Sequence, residues 1–302
     1  MALKEIVKMN KLLKFSLPVL LILGLVLTSA CAKAEVIVSD GKYNAFGTIA
    51  VLSNKDLGIV FRKGTTHGTD KGKIVMKKST DLGKTWSAES TVYEDATYDS
   101  RDPCITLLSN GTLIVSFFKY NHTVPGPIVD GVHTIRSTNN GNSWDTPVQL
   151  NSSFTDWCAG SGPVIELANG DLLIGIYGRN TGDSYDSAVC MKSTDGGDTW
   201  GSEVTIGDGP TDSRNYHEPN LVLLNTNILA MLRTSKEVEG ITEYTIYTSI
   251  STDSGASWSA PASKFTGSGA PRTIKLSDGR LACIYRAKTP ETSNDPVIKA
   301  FY

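Results

Sequence analysis

Residues 79–86 read STDLGKTW, and this octapeptide has three further copies in the chain. The copies are STNNGNSW, STDGGDTW and STDSGASW, which start at residues 137, 193 and 251. The four starting points are 58, 56 and 58 residues apart, so one pattern repeats at nearly constant spacing. A fixed period of this length indicates an array of similar structural units.

A second element recurs between the octapeptides, and it consists of two apolar segments around a turn rich in Asn, Asp and Gly. Its five copies start at Thr48, Pro103, Pro163, Pro219 and Pro271. Asn-Gly and Asp-Gly between apolar segments predict β-hairpins. Further apolar segments precede the octapeptides, so we expect two hairpins, or four strands, in each repeat. Sustained helical periodicity is missing after residue 40, and four-stranded units that repeat radially are typical of a β-propeller.

The octapeptide has the chemistry of a structural turn. Ser and Asp side chains bond backbone amides in turns, Gly supplies a positive φ, and the terminal Trp can pack between neighbouring sheets. The second copy carries Asn139 where the others carry Asp81, Asp195 and Asp253. A turn tolerates that replacement, whereas a catalytic role would not. We therefore predict that the three aspartates lie on turns far from any active site.

The pattern S-x-D-x-G-x-T/S-W resembles the Asp-box, or BNR repeat, of the sialidases over about residues 40–302. The resemblance implies an all-β fold, a six-bladed β-propeller of the sialidase type with the box on the outer turn of a blade. The repeats amount to about four and a half blades. Residues 297–302 have the character of a strand that precedes a box, so we expect the chain to be incomplete. A true five-bladed protein is the alternative.

Composition argues against some partners. The chain has 302 residues, with 29 Lys and Arg against 31 Asp and Glu, a net charge of -2. A nucleic-acid partner favours a basic surplus, so we expect none. The four histidines and five cysteines show no metal-ligand spacing, so we predict neither a metal nor another cofactor. Cys104, Cys190 and Cys283 lie in apolar segments and are interpreted as small buried hydrophobes.

Residues 1–34 have the three-part organisation of a bacterial export signal. Four lysines precede residues 15–30, an uncharged and mostly apolar segment that is shorter than the roughly 20 residues needed to span a bilayer. Two cleavage sites compete: residues 32–34 fit an A-x-A site, and residues 28–31 (TSAC) resemble a lipobox in which Cys31 carries a lipid that tethers the protein to a membrane. An uncleaved anchor is the third alternative. We expect a secreted, periplasmic or cell-surface protein whose residues 35–302 form the propeller.

The resemblance also implies site residues. Glu218, an apolar hairpin and Arg233 are similar to the sialidase segment with the catalytic Glu and the second arginine of the carboxylate-binding triad. The two residues occupy the two arms of one hairpin, so we predict that they meet at a central pocket; a surface ion pair is the alternative. Residues 100–103 (SRDP) partly resemble the sialidase F-R-I-P motif, with Asp102 in place of Ile, and imply Arg101 as the first arginine. A whole repeat precedes that motif here, unlike in sialidases.

The remaining roles rest on weaker matches. Arg286, at the end of a returning strand, is the candidate third arginine, and Arg272 is its rival. The proton-donating Asp of sialidases lies on a loop after the hairpin of the first arginine. That position implies Asp130, the only carboxylate of residues 120–131, although a solvated loop Asp is the alternative. The sialidase nucleophile is a Tyr of the last blade, which we expect beyond the end of this chain, so Tyr302 is not assigned.

Two further residues are candidate substrate contacts. Trp157 is the only Trp outside a box, and it can stack on a sugar or simply pack. His217 is next to Glu218 and can line the same pocket.

Guanidinium forks bind carboxylates bidentately, and sialic acid carries a carboxylate. The leading hypothesis is therefore an exported, exo-sialidase-like glycoside hydrolase that cleaves terminal sialic acid, or a related acidic sugar, from glycans. A propeller glycosidase for another sugar and a non-catalytic glycan-binding or assembly propeller are the alternatives. Three converging arginines with a Tyr–Glu pair favour the first, and two or fewer favour the others.

Overall fold

A computed structural model describes residues 37–68, 71–122, 128–286 and 296–301. All of them belong to one unit, Val36–Tyr302. The predicted export signal (residues 1–34, including Cys31) and Tyr302 lie outside the described residues. Within the described ranges, no helix is long and apolar enough to cross a bilayer.

The described residues form five antiparallel sheets that follow one another along the chain, called blades 1 to 5 here. In each sheet, consecutive strands pair as a meander. Blade 1 contains strands β1 to β4, at Tyr43–Val51, Leu57–Gly64, Lys73–Ser79 and Ser90–Tyr93. Blade 2 contains strands β5 to β8, at Asp99–Leu107, Leu113–Asn121, Ile128–Ser137 and Val148–Gln149.

Blades 3 to 5 continue this order with local differences. Blade 3 contains strands β9 to β13, at Trp157–Ala159, Ile165–Glu166, Leu172–Arg179, Ser187–Ser193 and Gly201–Gly207. Both β9 and β10 pair with β11, so together they replace a single first strand. A one-turn helix, α1 at Gly209–Asp212, precedes blade 4. Blade 4 contains strands β14 to β17, at Asn215–Leu224, Asn227–Val238, Ile241–Ser251 and Ala262–Thr266. Blade 5 contains strands β18 to β20, at Arg272–Lys275, Leu281–Arg286 and Pro296–Phe301.

This architecture confirms the predicted all-β propeller, with four complete blades and three strands of a fifth among the described residues. The inner strands β6, β11 and β15 are buried along most of their length. Both faces of such a strand are covered by neighbouring blades, which is why their sequences are nearly continuous apolar runs. Cys104, Cys158, Cys190 and Cys283 are buried and unpaired in this core, as small hydrophobes are.

Each octapeptide forms a turn at the end of the third strand in blades 1 to 4, and hydrogen bonds within the octapeptide hold this turn. In blade 3 the Ser193 hydroxyl accepts a hydrogen bond from the Gly197 amide at 2.9 Å and donates one to Asp195 at 2.7 Å. Asp195 also accepts from the Thr199 amide at 2.9 Å. The other three copies repeat these bonds. The predicted turn role of the box is therefore confirmed.

In blades 2 to 4, the Trp that ends the box packs back onto the preceding blade. Trp200 is buried in the core between blades 2 and 3, where its Nε1 donates to the Thr134 hydroxyl at 3.2 Å. Trp144 and Trp258 pack in the same way one blade earlier and one blade later. Gly141 has a φ of +73°, and a Cβ there would lie 2.6 Å from the sulfur of Met76. Blade packing and turn geometry thus both require the box glycine.

Candidate active site

Three first strands carry a β-bulge at the same place, where they border a cavity of about 890 Å³ that all five blades line. The first residue of the bulge is Phe46 in blade 1, Asp102 in blade 2 and Glu218 in blade 4. Their φ angles are 58°, 50° and 50°. A positive φ costs a residue other than glycine about 1–3 kcal/mol, and such strain concentrates at functional sites. All three side chains line the cavity.

The boxes lie at the other end of the blades. In blade 1, Ser79 at the start of the box pairs with Leu57, beside the hairpin turn that joins β1 to β2. The bulge lies near the opposite end of that hairpin, next to the pairing of Ala45 with Arg62. The box aspartates are not among the described residues that line the cavity. The prediction that they lie far from the pocket is confirmed.

The structure brings Glu218 and Arg233 together in the cavity wall. Arg233 pairs with His217 in the β14–β15 ladder, so its side chain lies beside the bulge. Its Nη1 donates to Oε1 of Glu218 at 3.1 Å. Oε2 of Glu218 and Nε of Arg233 are both buried and have no hydrogen-bond partner in the described part of the chain. Buried polar atoms of this kind are rare in native proteins, and both belong to residues that line the cavity.

Arg101 is held rigidly at the cavity by a buried ion pair. The carboxylate of Asp99 accepts from Arg62 Nε at 2.8 Å and from the Gly72 amide at 2.8 Å. Its second oxygen lies 3.3 Å from Arg101 Nη1 and 3.0 Å from His122 Nε2. Asp99 therefore connects a fully buried arginine to Arg101 and His122, both of which line the cavity. The guanidinium of Arg101 also lies 5.4 Å from the ring centre of Phe46, within cation–π range.

Arg272 and Arg286 both line the cavity from blade 5. The Nη2 atom of Arg272 donates to the Cys104 sulfur at 3.4 Å, and its Nη1 is buried without a partner among the described residues. Arg286 is exposed at the end of β19. Both candidates for the third arginine therefore line the cavity.

Asp102 was not predicted as a site residue. It is partly buried, and its Oδ1 atom is completely buried and lacks a hydrogen-bond partner within the described ranges. Burial raises the pKa of its carboxyl from the ordinary 3.8 to about 6; Arg101 and Arg272 oppose that rise, and Glu218 adds to it. The signal in the sequence was a carboxylate where the resembling motif has an apolar Ile, directly before Pro103 and the apolar second half of the strand.

Blade 3 contributes neutral groups. Ser161 and Tyr177 line the cavity, and the Ser161 hydroxyl is another buried atom without a partner in the described chain. Burial raises the pKa of Tyr177 well above its usual value, with Glu218 and Asp102 acting in the same direction. This phenol therefore stays protonated and is a hydrogen-bonding group. It is poorly suited to be a nucleophile.

Asp130 does not reach the cavity, contrary to our expectation. It lies in the third strand β7, and its carboxylate bonds Lys119 Nζ at 2.6 Å. Lining residues of blade 2 come from its first two strands and from His122, which follows β6. A third strand lies one position farther out, which is why Asp130 is not brought together with Glu218.

Trp157 and His217 also lie outside the set of lining residues. Trp157 packs edge-on against Tyr177 at a ring distance of 5.5 Å, and the His217 ring lies 5.2 Å from Tyr177. The Nε2 atom of His217 is 2.5 Å from Asp186 Oδ2. The two predicted contact residues thus pack around Tyr177, which itself lines the cavity.

The cavity combines four arginines with two carboxylates, Asp102 and Glu218. This surplus of guanidinium groups suits an anionic ligand, above all a carboxylate. The two carboxylates differ in their surroundings, because Glu218 is paired with an arginine, whereas Oδ1 of Asp102 is buried without a hydrogen-bond partner among the described residues. No cluster of three or more metal-ligating side chains occurs in the described part of the chain.

Comparison with solved structures supports this fold. A protein of unknown function from Dyadobacter fermentans is 21% identical, with a TM-score of 0.73 over 86% of this chain and 79% of that one. The leech intramolecular trans-sialidase is 16% identical, with a TM-score of 0.69 over 90% and 60%. The α-L-arabinanase of Penicillium chrysogenum is 16% identical, with a TM-score of 0.61 over 84% and 80%. This chain thus spans less than two thirds of the leech enzyme, and identities this low show the fold alone.

Sequence comparison assigns the family. No curated protein matches the chain. The sequence profile of the BNR repeat-like domain family matches residues 55–295, which is well over half of the chain. The matched range includes the four boxes and the residues of the cavity from blades 2 to 5. The chain therefore belongs to the BNR repeat-like domain family and has the propeller fold of the sialidases.

Proposed function

We propose that this protein is a glycoside hydrolase that removes a terminal acidic sugar, sialic acid or a related sugar acid, from glycans. The observation that carries the proposal is the convergence of four arginines on one cavity together with Glu218. Each guanidinium presents a planar fork of donors that matches a carboxylate. Arg233 Nε and Arg272 Nη1 are buried donors without partners in the described chain, so a bound carboxylate would satisfy them.

Glu218 is the base in this proposal. Arg233 donates to its Oε1 atom, while Oε2 has no partner among the described residues. An ionised carboxylate with one uncommitted oxygen can take the proton of the nucleophile that attacks the anomeric carbon. The strained backbone at Glu218 holds that oxygen at the cavity.

The proposed cellular location of the protein rests on the predicted export signal in residues 1–34. Glycans that end in acidic sugars are displayed outside cells, and a secreted, periplasmic or cell-surface hydrolase would meet them there. We propose that location for the protein, with a lipid on Cys31 as the alternative to free secretion. Mass spectrometry of the mature N-terminus distinguishes Glu35 from a lipidated Cys31.

The arginines also weigh against the two alternative functions. A glycosidase for a neutral sugar has no use for four guanidinium groups, although the fold of an arabinanase is similar. A purely binding propeller gains nothing from strained carboxylates with unpartnered oxygens, because the strain and the desolvation weaken the fold. The geometry therefore supports hydrolysis of an acidic glycoside best.

The proposal is tested by binding and by turnover. We expect the protein to bind N-acetylneuraminic acid in isothermal titration calorimetry and to bind its uncharged methyl ester far less well. Arg233→Ala should weaken binding by about 30- to 1000-fold, because the loss of a desolvated bidentate contact costs about 2–4 kcal/mol. The 4-methylumbelliferyl α-sialoside should be hydrolysed, and the corresponding α-L-arabinoside should not.

Arg136→Ala is the matched control. Arg136 is an arginine of blade 2 that bonds the Gly196 carbonyl in the box of blade 3, and it does not line the cavity. Binding and turnover should be unchanged in this variant. Preference for the methyl ester, or turnover of the arabinoside alone, would refute an acidic substrate.

A further inference from the structure

Asp102 and Glu218 occupy the same position in two copies of the repeat. Each is the first residue of a two-residue bulge in the first strand of its blade, between a residue paired with the second strand and a following proline. Their φ angles are both 50°, so the two backbones have the same strained conformation there. Both side chains line the one cavity, Asp102 from blade 2 and Glu218 from blade 4.

The two carboxylates have opposite surroundings within this shared position. Oε1 of Glu218 receives a hydrogen bond from Arg233 Nη1 at 3.1 Å. Asp102 receives no such bond at its buried Oδ1, and burial raises the pKa of its carboxyl. Two carboxyl groups at one site, one bonded to an arginine and the other buried without such a bond, have the arrangement that acid–base catalysis of glycoside cleavage needs.

We propose that Asp102 is the proton donor to the oxygen of the leaving group, in the hydrolysis proposed above for this same cavity. Asp102 and Glu218 then form the acid–base pair, and both lie within the described residues. The inference rests on the proposed function and replaces Asp130, whose carboxylate is bonded to Lys119.

The step balances as follows. The Asp102 carboxyl gives its proton to the glycosidic oxygen while the bond between that oxygen and the anomeric carbon breaks, and the electron pair of the bond stays on the oxygen. The nucleophile forms the new bond to the anomeric carbon and loses its proton to Glu218. Over the whole reaction, one water supplies the hydroxyl that replaces the leaving group, and the sugar acid and an alcohol are released. Glu218 passes its proton to solvent, and solvent returns a proton to Asp102.

Other polar groups of the cavity are less suited to this role. The His122 ring already contacts the buried Asp99 through Nε2, an interaction that fixes it in the wall beside Arg101. Tyr177 is held protonated too firmly to release a proton readily. The charged groups that act on Asp102 are Arg101 and Asp99 on its own strand, Glu218 on β14 and Arg272 on β18.

The test varies the leaving group at constant sugar. For the Asp102→Asn variant, we expect kcat/KM on 3′-sialyllactose to fall by about 10²- to 10⁴-fold, the usual contribution of general acid catalysis. On the 4-methylumbelliferyl α-sialoside the same variant should lose less than about tenfold, because that leaving group departs without a proton. Asparagine tolerates a positive φ, so the variant should fold, as a thermal melt will check.

Asp130→Asn is the matched control, and it should change neither substrate by more than about twofold because Asp130 lies outside the cavity lining. An equal loss on both substrates in Asp102→Asn, or no loss on either, would overturn the acid role. A loss confined to sialyllactose in Asp130→Asn would also overturn it. If the unmodified protein hydrolyses neither substrate, the proposed function itself fails and the acid role fails with it, an outcome that is distinct from the other three.

Discussion

The carboxylates of the box turns and those of the cavity differ in almost every respect. Asp81, Asp195 and Asp253 lie on solvent-exposed turns, and hydrogen bonds lower the pKa of each, most strongly those from the hydroxyl and amide of a Thr or Ser four residues later. Asp102 and Glu218 lie in the cavity wall, and each has a buried oxygen without a partner in the described chain. The first group recurs in blades 1, 3 and 4, whereas among the described residues the second appears in blades 2 and 4.

This difference teaches how to separate structural from functional residues in a repeat protein. A polar residue that every copy satisfies with local bonds, Asp in three boxes and Asn139 in the fourth, stabilises the repeat itself. A carboxylate that single copies carry, at a strained and unsatisfied position, weakens the repeat and needs another reason to be there. Three variants test the contrast.

The largest effect should come from Glu218→Gln. The variant keeps the shape of the side chain but cannot accept a proton, so we expect kcat on the 4-methylumbelliferyl sialoside to fall by about 10²- to 10⁴-fold. KM should change little, because the carboxylate of the substrate binds the arginines. Glu166→Gln is the control, since Glu166 accepts bonds from Ser109 at a surface turn and should leave kcat unchanged. A large change in the control would break the contrast.

A smaller effect should appear in the stability of Asp102→Asn. The folded-state pKa of Asp102 is raised from 3.8 to about 6, so its contribution to stability is fully present below pH 3.8 and is lost as the pH rises through 6. Asparagine carries no charge, so the variant should be more stable than the parent above pH 6 by about 3 kcal/mol.

Urea unfolding at pH 4 and at pH 7.5 measures this difference. The gain should nearly vanish at the lower pH, where Asp102 is largely protonated in the folded state. If Asp102→Asn were more stable than the parent by the same amount at both pH values, the gain would come from relief of backbone strain and not from removal of a buried charge.

The smallest effect should come from Ser193→Ala in the box of blade 3. The change leaves the buried Gly197 amide without its partner and removes a bond to Asp195. We expect a loss of about 1–2 kcal/mol and a melting temperature lower by a few degrees. Turnover per folded molecule should not change, and calorimetry with an active-site titration checks both. Lost turnover without lost stability would place the box in the catalytic machinery.

Most of the fold was predictable because its signals are local and repeated. The box, the Asn-Gly and Asp-Gly turns and the apolar segments each recur at a fixed period, so one interpretation had to satisfy every copy. The one-turn helix at Gly209–Asp212 was not predicted, since four residues are too few to show helical periodicity. The split first strand of blade 3 was also missed, because its five-residue interruption has no counterpart in the other copies.

The candidate site was predictable only in part. Glu218 and Arg233 could be paired from sequence, because both arms of a hairpin with a visible turn have a known register. Asp130 was placed on a loop, whereas the structure continues β7 through it and directs its carboxylate to Lys119. From the sequence, Asp102 was recognised only as a departure from a motif. Its burial, which raises the pKa of its carboxyl, and its positive φ cannot be seen in the sequence.

The bulge of the first strand has a consequence for how such proteins diverge. The bulge adds one unpaired residue to the first strand, and the normal pairing with the second strand resumes after it. A substitution of the bulge residue therefore does not shift the register of the blade. Blade 1 carries Phe46 at this position, blade 2 an acid and blade 4 another acid. The side chain that each blade presents to the cavity can therefore change by one substitution, while the boxes and the core stay the same.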